Sequence, residues 1–173
     1  MFKRFLLILA FLGLSFPAFA YKKANIFAYP RQAPETEFYN RHGQKMRFSD
    51  FNGDFLLVVF WSKTCIPCLK ELDDLSSFVK ETKYDGIKVL LISPQNEWTS
   101  IQEQKDILKK YGGEDLDFYT DKKSNLANAF GIFTSPHTVL INKDSLEIGR
   151  IRGAVDWDDE DVINYIYQIK ATN

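Results

Sequence analysis

The chain has 173 residues, which is room for one domain and a short tail, since domains commonly run to about 100–200 residues. Its hydrophobic fraction of 45% and charged fraction of 26% are ordinary for a globular protein and exclude a disordered chain. With 22 Lys and Arg against 23 Asp and Glu, the net charge is -1, so we expect no nucleic-acid partner. Two cysteines exclude a disulfide scaffold and a four-thiolate zinc site, and we expect them to act as one pair.

The first twenty residues have the pattern of a secretory signal peptide. Lys3 and Arg4 form a short positive end, residues 5–16 are an apolar run, and residues 18–20 read Ala-Phe-Ala. A membrane anchor is the alternative, but a span needs about 20 apolar residues. We therefore expect residues 1–20 to be removed and the mature protein to work in the periplasm or outside the cell, where disulfides persist.

The next segments set the limits of the predicted domain. Residues 21–36 contain two prolines and no apolar periodicity, which predicts an irregular lead-in before a domain spanning 37–173. Residues 37–48 predict two short strands around Gly43. The continuous apolar run 55–61 is typical of a strand buried on both faces, usually in a parallel sheet.

Strands and helices then alternate along the chain. From Cys68 the apolar residues recur at spacings of four, three and four, which predicts a helix with one buried face. The later predicted elements are a strand at 87–92, a helix at 99–110 opened by a capping box of Thr99 and Gln102, a strand at 118–120, a helix at 124–130, a hairpin over 138–152 and a helix at 158–170. This order predicts an α/β fold whose sheet is mainly parallel at its centre, with helices on both faces.

The two cysteines lie in the segment Cys65-Ile66-Pro67-Cys68, between the buried strand and the helix. A helix start has unpaired N–H groups and the positive end of the dipole, which favour a thiolate at Cys65. The thiolate is the nucleophile of disulfide exchange. Pro67 suits the first helical turn because its missing N–H loses no hydrogen bond there. Cys68 is close enough to attack a mixed disulfide on Cys65, so the pair can cycle between dithiol and disulfide.

Three other roles for the pair are disfavoured. A purely structural disulfide restrains the unfolded chain little when its loop is so short. A zinc site would need two more ligands, and His42 and His137 lack the spacing of a zinc-binding histidine pair. Haem attachment needs a histidine directly after the second cysteine, where Leu69 stands.

Two segments resemble a known family. Residues 60–71, Phe-Trp-Ser-Lys-Thr-Cys-Ile-Pro-Cys-Leu-Lys-Glu, resemble the active-site segment of thioredoxin-like proteins, particularly the exported TlpA/ResA type. Residues 134–142, Thr-Ser-Pro-His-Thr-Val-Leu-Ile-Asn, resemble the cis-proline loop and the following strand of that family. The resemblance covers residue 37 to the C-terminus. It implies a thioredoxin-like fold, with a central mixed sheet, helices on both faces and an N-terminal hairpin.

The resemblance also implies an activity and a set of site residues. It implies a thiol–disulfide oxidoreductase that acts on client proteins with cysteine pairs, favours the reducing direction, draws electrons from an upstream thiol donor in the membrane, and uses no cofactor or metal. Cys65 is then the attacking thiol and Cys68 the resolving thiol. Pro136 is expected to be cis and to face the disulfide, with the backbone of Ser135 offered to an extended substrate. Trp61, Pro67 and His137 complete the candidate substrate-binding set.

Two residues near the cysteines have two interpretations each. Glu71 lies three residues after Cys68, so their side chains are neighbours on a helix. The resemblance implies that Glu71 transfers a proton to or from Cys68, but an early-helix acid also complements the helix dipole. A histidine at 137, beside the dithiol, would either titrate near physiological pH and alter thiol acidity or point away and be inert.

Two rival functions use the same cysteines. A Cu(I) metallochaperone would bind the soft ion through Cys65 and Cys68, with His137 as a further candidate ligand. A peroxidase of the peroxiredoxin type is a weaker rival, because the Thr-x-x-Cys arrangement is absent around Cys65.

Overall fold

The structure is a computed structural model that describes residues 24–173. The predicted signal peptide at 1–20 lies outside the described residues. The strands are β1 (Ala24–Gln32), β2 (Phe38–Asn40), β3 (Lys45–Met46), β4 (Phe55–Phe60), β5 (Ile87–Pro94), β6 (Phe118–Asp121), β7 (His137–Ile141) and β8 (Leu146–Arg152). The helices are α1 (Ile66–Lys70), α2 (Leu72–Glu81), α3 (Ile101–Lys110), α4 (Asn125–Phe130) and α5 (Glu160–Thr172).

The eight strands form one mixed sheet in the order β1-β8-β7-β4-β5-β6-β2-β3. Strands β4, β5 and β6 run parallel, and the strands outside them pair antiparallel. The predicted hairpin around Gly43 is formed by β2 and β3, and it extends the sheet beyond β6. The expected mixed sheet with a hairpin before the central strand is confirmed.

Strand β4 is buried along its whole length because the sheet is covered on both faces. Phe55, Leu57 and Val59 belong to a core cluster that includes residues of α2, α3 and α5. The alternate residues Leu56, Val58 and Phe60 belong to a second cluster with α4 and the hairpin. The continuous apolar run therefore has the burial that the sequence predicts, since alternate side chains enter two separate cores.

Strand β1 corrects the prediction of an irregular lead-in. Residues 24–32 form a strand that pairs antiparallel with β8, so the domain begins before residue 37. The sequence does not reveal this strand because β1 is a mostly exposed edge strand whose register shifts between Ile26 and Arg31. An edge strand with an irregularity shows neither an apolar run nor clean alternation.

The helices differ from the prediction mainly at their ends. The helix predicted from Cys68 begins two residues earlier, at Ile66, and is divided at Glu71 into α1 and α2. Helix α3 is capped by Ser100, whose hydroxyl accepts from the Glu103 N–H at 3.1 Å, rather than by Thr99. Between residues 24 and 173, no helix combines the length and apolarity that crossing a bilayer requires.

Candidate active site

The loop after β4 places the first cysteine at the carboxyl end of the parallel strands. The Trp61 N–H donates to the Ile92 carbonyl at 2.9 Å, which continues the pairing with β5 past Phe60. The chain then turns, and the Cys65 N–H donates to the Ser62 carbonyl at 3.1 Å. This turn delivers Cys65 to the N-terminus of α1.

Cys65 and Cys68 form a disulfide with a Cα–Cα distance of 5.2 Å. Cys65 is the N-cap of α1, and its Sγ accepts a hydrogen bond from the Cys68 N–H at 3.2 Å. Cys65 is part-exposed, whereas Cys68 is fully buried. An external thiol or disulfide therefore reaches Cys65 first, and a backbone N–H is aimed at the sulfur that would carry negative charge.

The proline loop lies at the same end of the sheet as the cysteines. Strand β7 pairs antiparallel with β4, with His137 opposite Phe60, so the residues before His137 lie beside the residues after Phe60. The Ser135–Pro136 peptide bond is cis, as the resemblance implies. Pro136 is buried and Ser135 is exposed. The topology therefore brings Ser135 and Pro136 next to the loop that carries Cys65.

A groove of about 400 Å³ opens between these two segments. Trp61 and Ser62 line it on one side, and Thr134 and Ser135 line it on the other. The Trp61 ring is only 2% exposed, so it forms part of the groove wall and does not project towards a client. Two apolar side chains are exposed at this end of the molecule, Phe133 at the groove and Ile66 beside Cys65.

Glu71 is buried at the junction of α1 and α2. Its Oε2 accepts a hydrogen bond from the Val155 N–H at 3.0 Å, which ties the helix junction to the segment before α5. Glu71 also lines a cleft of about 260 Å³ together with Pro67 and Asp74. The carboxylate therefore has a structural contact beyond any interaction with the helix dipole, and it faces a cleft beside the Cys65–Cys68 turn.

His137 is buried in β7, and its titration differs from one of the two expectations. Burial lowers the pKa of His137 to about 4, and the positive charges of Arg150 and Arg152 lower it further. This lowered pKa keeps the imidazole neutral at physiological pH and favours the second interpretation, in which His137 does not titrate there. The residue is only 5% exposed, which argues against a direct contact between His137 and a client.

His137 is not grouped with the two cysteines as a metal ligand in the described part of the chain. Among residues 24–173, no group of three or more His, Cys, Asp or Glu side chains is placed to hold a metal ion. The geometry therefore gives no support to a copper site that includes His137.

Residues that the sequence did not indicate surround the loop before Cys65. The Lys63 ammonium lies 2.5 Å from Glu103 Oε1, and the Lys63 N–H donates to Glu97 Oε2 at 3.1 Å. The Trp98 ring packs on Trp61 with ring centres 5.5 Å apart. The only available signal was the acidic residues around the start of α3, and nothing local shows that they contact a loop about forty residues earlier.

Comparison with known proteins places this geometry in a family. Residues 30–152 match the AhpC/TSA family. The chain belongs to the AhpC/TSA family. A relative of this AhpC/TSA protein is the thiol-disulfide oxidoreductase ResA of Bacillus thuringiensis subsp. konkukian, which is 26% identical over 125 residues that cover 71% of this chain and 69% of ResA.

Solved structures confirm the fold of this AhpC/TSA protein. StoA of Bacillus subtilis superposes with a TM-score of 0.61 at 23% identity, over 78% of this chain and 98% of StoA. The pneumococcal exposed lipoprotein thioredoxin Etrx1 of Streptococcus pneumoniae superposes with a TM-score of 0.64 at 22% identity, over 81% and 100%. The resemblance to TlpA/ResA-type proteins is confirmed, and this AhpC/TSA protein is a thioredoxin-like thiol–disulfide oxidoreductase.

Proposed function

We propose that the protein is exported and reduces disulfides in client proteins through Cys65 and Cys68. The observation that carries this proposal is the unequal exposure of the two bonded sulfurs at the start of α1. Cys65 is part-exposed and receives a backbone hydrogen bond, and Cys68 is buried behind it. This arrangement suits one sulfur for attack on a client and the other for resolution.

The exchange transfers two electrons to the client. The Cys65 thiolate attacks one sulfur of the client disulfide, which forms a Cys65–client bond and releases the other client sulfur as a thiolate. The Cys68 thiolate then attacks Cys65 Sγ, which breaks the mixed disulfide and closes the Cys65–Cys68 disulfide. The client leaves as a dithiol after taking up two protons. An upstream thiol donor regenerates the reduced pair by the same chemistry in reverse.

The groove beside the cysteines supports a client bound as an extended strand. Ser135 is exposed beside buried Pro136, and the loop they form ends at the edge of the groove. A client backbone that pairs with Ser135 would place its cysteine over Cys65. In this arrangement Trp61 forms the wall of the groove and exposed Pro67 borders the opposite side of the dithiol.

Glu71 is the proposed proton carrier for Cys68. Glu71 lies one helical turn after Cys68 and borders the cleft beside Pro67, which provides a path to solvent for the carboxyl proton. During resolution Cys68 must lose its proton before it can attack, and a neighbouring carboxylate can accept it. The hydrogen bond from Val155 fixes one oxygen of this carboxylate.

The N-terminal pattern supports export, and export in turn calls for an electron donor. Residues 1–20 have the composition of a signal peptide, and Etrx1, a protein of similar fold, is an exposed lipoprotein. A reductant outside the cytosol needs electrons from within the cell, so we propose a membrane-embedded thiol donor as its partner. Signal-peptide cleavage after Ala20 is checked by N-terminal sequencing of the mature protein.

The function is tested by disulfide exchange with insulin and three variants. We expect Cys65→Ser to lose turnover at least 100-fold, and Cys68→Ser to accumulate the mixed disulfide on Cys65, because nothing resolves it. Glu71→Gln keeps an oxygen for the Val155 N–H but accepts no proton, so resolution should slow about tenfold relative to the parent between pH 6 and 8. Unchanged resolution rates across that range would remove the proton role of Glu71.

Three results would contradict the wider proposal. Full turnover by Cys65→Ser would exclude the mechanism. Stoichiometric Cu(I) binding or rapid hydrogen peroxide consumption, each without disulfide exchange, would favour a chaperone or a peroxidase. The reduction potential of the pair, measured against glutathione, decides the direction: we expect about -270 mV, as in thioredoxin, and a value near about -120 mV, as in DsbA, would indicate an oxidant.

A further inference from the structure

The loop that leads into Cys65 is held by four side chains that we call the Lys63 clamp: Lys63, Glu97, Trp98 and Glu103. Lys63 Nζ lies 2.5 Å from Glu103 Oε1 and 5.2 Å from the centre of the Trp98 ring. The backbone N–H of Lys63 donates to Glu97 Oε2 at 3.1 Å. Both the charge and the backbone of Lys63 are therefore bound by the segment between β5 and α3.

The Glu103 carboxylate is itself fixed in place. Its Oε2 accepts from the Thr99 N–H at 2.8 Å and from the Thr99 hydroxyl at 2.7 Å, while its other oxygen faces Lys63. The hydrogen bond from Lys63, followed by those from Thr99, lowers the pKa of Glu103 to about 2. The carboxylate is therefore charged over the whole range in which a protein thiol titrates.

The clamp is anchored to the sheet through Trp98. The Trp98 ring packs on Trp61, and its Nε1 donates to Ser93 Oγ at 2.8 Å. Ser93 Oγ also accepts from buried Gln104 at 3.1 Å, so α3 and the end of β5 are joined at the same point. These contacts place a rigid layer under residues 61–63, immediately before the reactive cysteine.

We propose that Glu103 is a positioning residue that sets the acidity of the Cys65 thiol, because it binds and neutralises the Lys63 ammonium two residues before that thiol. This inference rests on the proposed function of Cys65. An ammonium without a counter-ion at Lys63 would stabilise the Cys65 thiolate, and a stabilised thiolate favours the reduced state of the pair. Glu103 therefore keeps the protein a stronger reductant than the loop charge alone would allow.

The backbones of Lys63 and Cys65 are close enough for this effect. The Cα atoms of Lys63 and Cys65 are at most about 7.6 Å apart, which is twice the spacing of consecutive Cα atoms. The side chains of Lys63 and Glu103 are 26% and 30% exposed, so salt screens them less than a fully exposed pair. The ammonium extends from this backbone towards Glu103, and a unit charge about 8 to 12 Å from a thiol in a largely aqueous medium changes its ionisation constant by about two- to fivefold.

Other titratable groups lie around the cysteines and stay constant in the test. His137 in β7 is neutral at the pH of the measurement, as its lowered pKa requires. The remaining groups line the cleft beside α1 or belong to the clamp, and they are Lys70, Glu71, Asp74, Asp156 and Glu97. Comparing variants that differ only at Lys63 and Glu103 removes their common contribution.

The test measures iodoacetamide alkylation of Cys65 from pH 5 to 9 in the reduced full chain, with the Cys68→Ser change in every variant. We expect Glu103→Gln to alkylate about two- to fivefold faster at pH 6, because the ammonium is left unpaired. Lys63→Met should alkylate slower by a similar factor, because the carboxylate is left unpaired. The double variant should return close to the parent rate.

The opposite signs separate a charge effect from a structural one. If the clamp only held the loop in shape, both single variants would move the thiol pKa in the same direction and the double variant would not restore it, which would overturn the inference. Asp54→Asn is the matched control, because it frees Lys88 from a 2.7 Å ion pair at the opposite end of β4 and β5. A rate change in this control equal to that of Glu103→Gln would also overturn it.

Failure of this inference is distinct from failure of the proposed function. Turnover by Cys65→Ser would contradict the function, whatever the thiol acidity. If turnover requires Cys65 but Glu103→Gln leaves the thiol pKa unchanged, only the role of Glu103 is lost. Should Lys63→Met not fold, Lys63→Gln keeps the chain polar and supplies the same change of charge.

Discussion

At the scale of single residues, burial decides between interpretations that spacing leaves open. Glu71 and His137 both lie near the dithiol, and both are buried. Glu71 accepts a hydrogen bond from the Val155 N–H while still bordering a cleft, so its structural contact is compatible with the proposed proton role. His137 is enclosed between β4 and β8 and stays neutral, so it does not act as a switch at physiological pH.

Buried His137 predicts a specific loss of stability in acid. Burial, with Arg150 and Arg152, lowers its pKa to about 4 from 6.5. Between these values the unfolded chain binds a proton that the folded chain does not, so the contribution is fully present above about pH 6.5 and is lost as the pH falls to about 4. We expect the Tm of His137→Gln to fall less steeply than that of the parent from pH 7 to 4.

Thermal unfolding across this pH range provides the measurement for His137. His42→Gln is the matched control, because it removes a histidine from an exposed position and should leave the slope unchanged. If the Tm of His137→Gln and the Tm of the parent change in parallel with pH, His137 binds a proton as readily in the folded chain as in the unfolded chain.

The cysteine pair could be predicted at this scale, and the clamp around it could not. The cysteines, the proline between them and the helix that follows are adjacent in the chain, so their chemistry can be inferred locally. Lys63 and Glu103 are 40 residues apart, and neither belongs to a recognisable motif. Their contact depends on how the segment between β5 and α3 folds back over the end of β4.

At the scale of elements, the helix that carries the dithiol is shorter and more interrupted than its apolar pattern suggests. The pattern runs on past Glu71, yet α1 ends there and α2 begins at Leu72. The apolar periodicity depends only on which side chains are buried. Both helices bury the same side, so the periodicity does not reveal the interruption at Glu71. The shift of the α3 cap from Thr99 to Ser100 has a similar origin, since both residues can cap.

The N-terminus of helix α4 is capped by a residue of the preceding strand, and this leads to a prediction about stability. Its preceding residue Ser124 has a φ of 54° and its side chain makes no capping bond. Asp121, at the end of β6, instead accepts from the Leu126 N–H at 3.0 Å and the Ala127 N–H at 2.9 Å. We expect Asp121→Ala to lower the free energy of unfolding by about 2 kcal/mol, because one buried and one part-buried N–H lose their acceptor.

Urea unfolding measures the effect at Asp121. Asp121→Asn, which keeps one acceptor oxygen, should cost about half as much and serves as the control. Burial raises the pKa of Asp121, against the effect of the backbone N–H groups, so every variant is compared at the same pH. Equal stability of the parent and Asp121→Ala would show that solvent replaces the cap.

At the scale of the whole molecule, residues 24–32 look irregular in the sequence but form β1 at the edge of the sheet, beside β8. The close approach of β1 depends on Gly149 in β8, where an added Cβ would lie 2.7 Å from Ile26 Cδ1 and 2.8 Å from the Asn25 carbonyl oxygen. The backbone oxygen cannot move without breaking the strand pairing. A glycine in the interior of a strand here allows two backbones to approach.

Gly149→Ala therefore tests the join between β1 and β8. We expect it to lower the free energy of unfolding by about 1–3 kcal/mol, because the new methyl group overlaps β1. In a chain that starts at Glu37 and lacks β1, the same substitution should cost less than about 0.5 kcal/mol. Urea unfolding is measured for the parent and Gly149→Ala, each with and without β1. An equal loss of stability with and without β1 would show that Gly149 is not needed for the pairing of β1 with β8.

The sequence alone determined the α/β alternation, the buried central strand and the paired thiols at a helix start, because each depends on residues that are neighbours in the chain. The tertiary structure decided the sheet order, the place of β1, the neutrality of His137 and the clamp on Lys63. These features arise where segments far apart in the chain meet, and neither periodicity nor local spacing records which distant side chain or backbone will supply the contact.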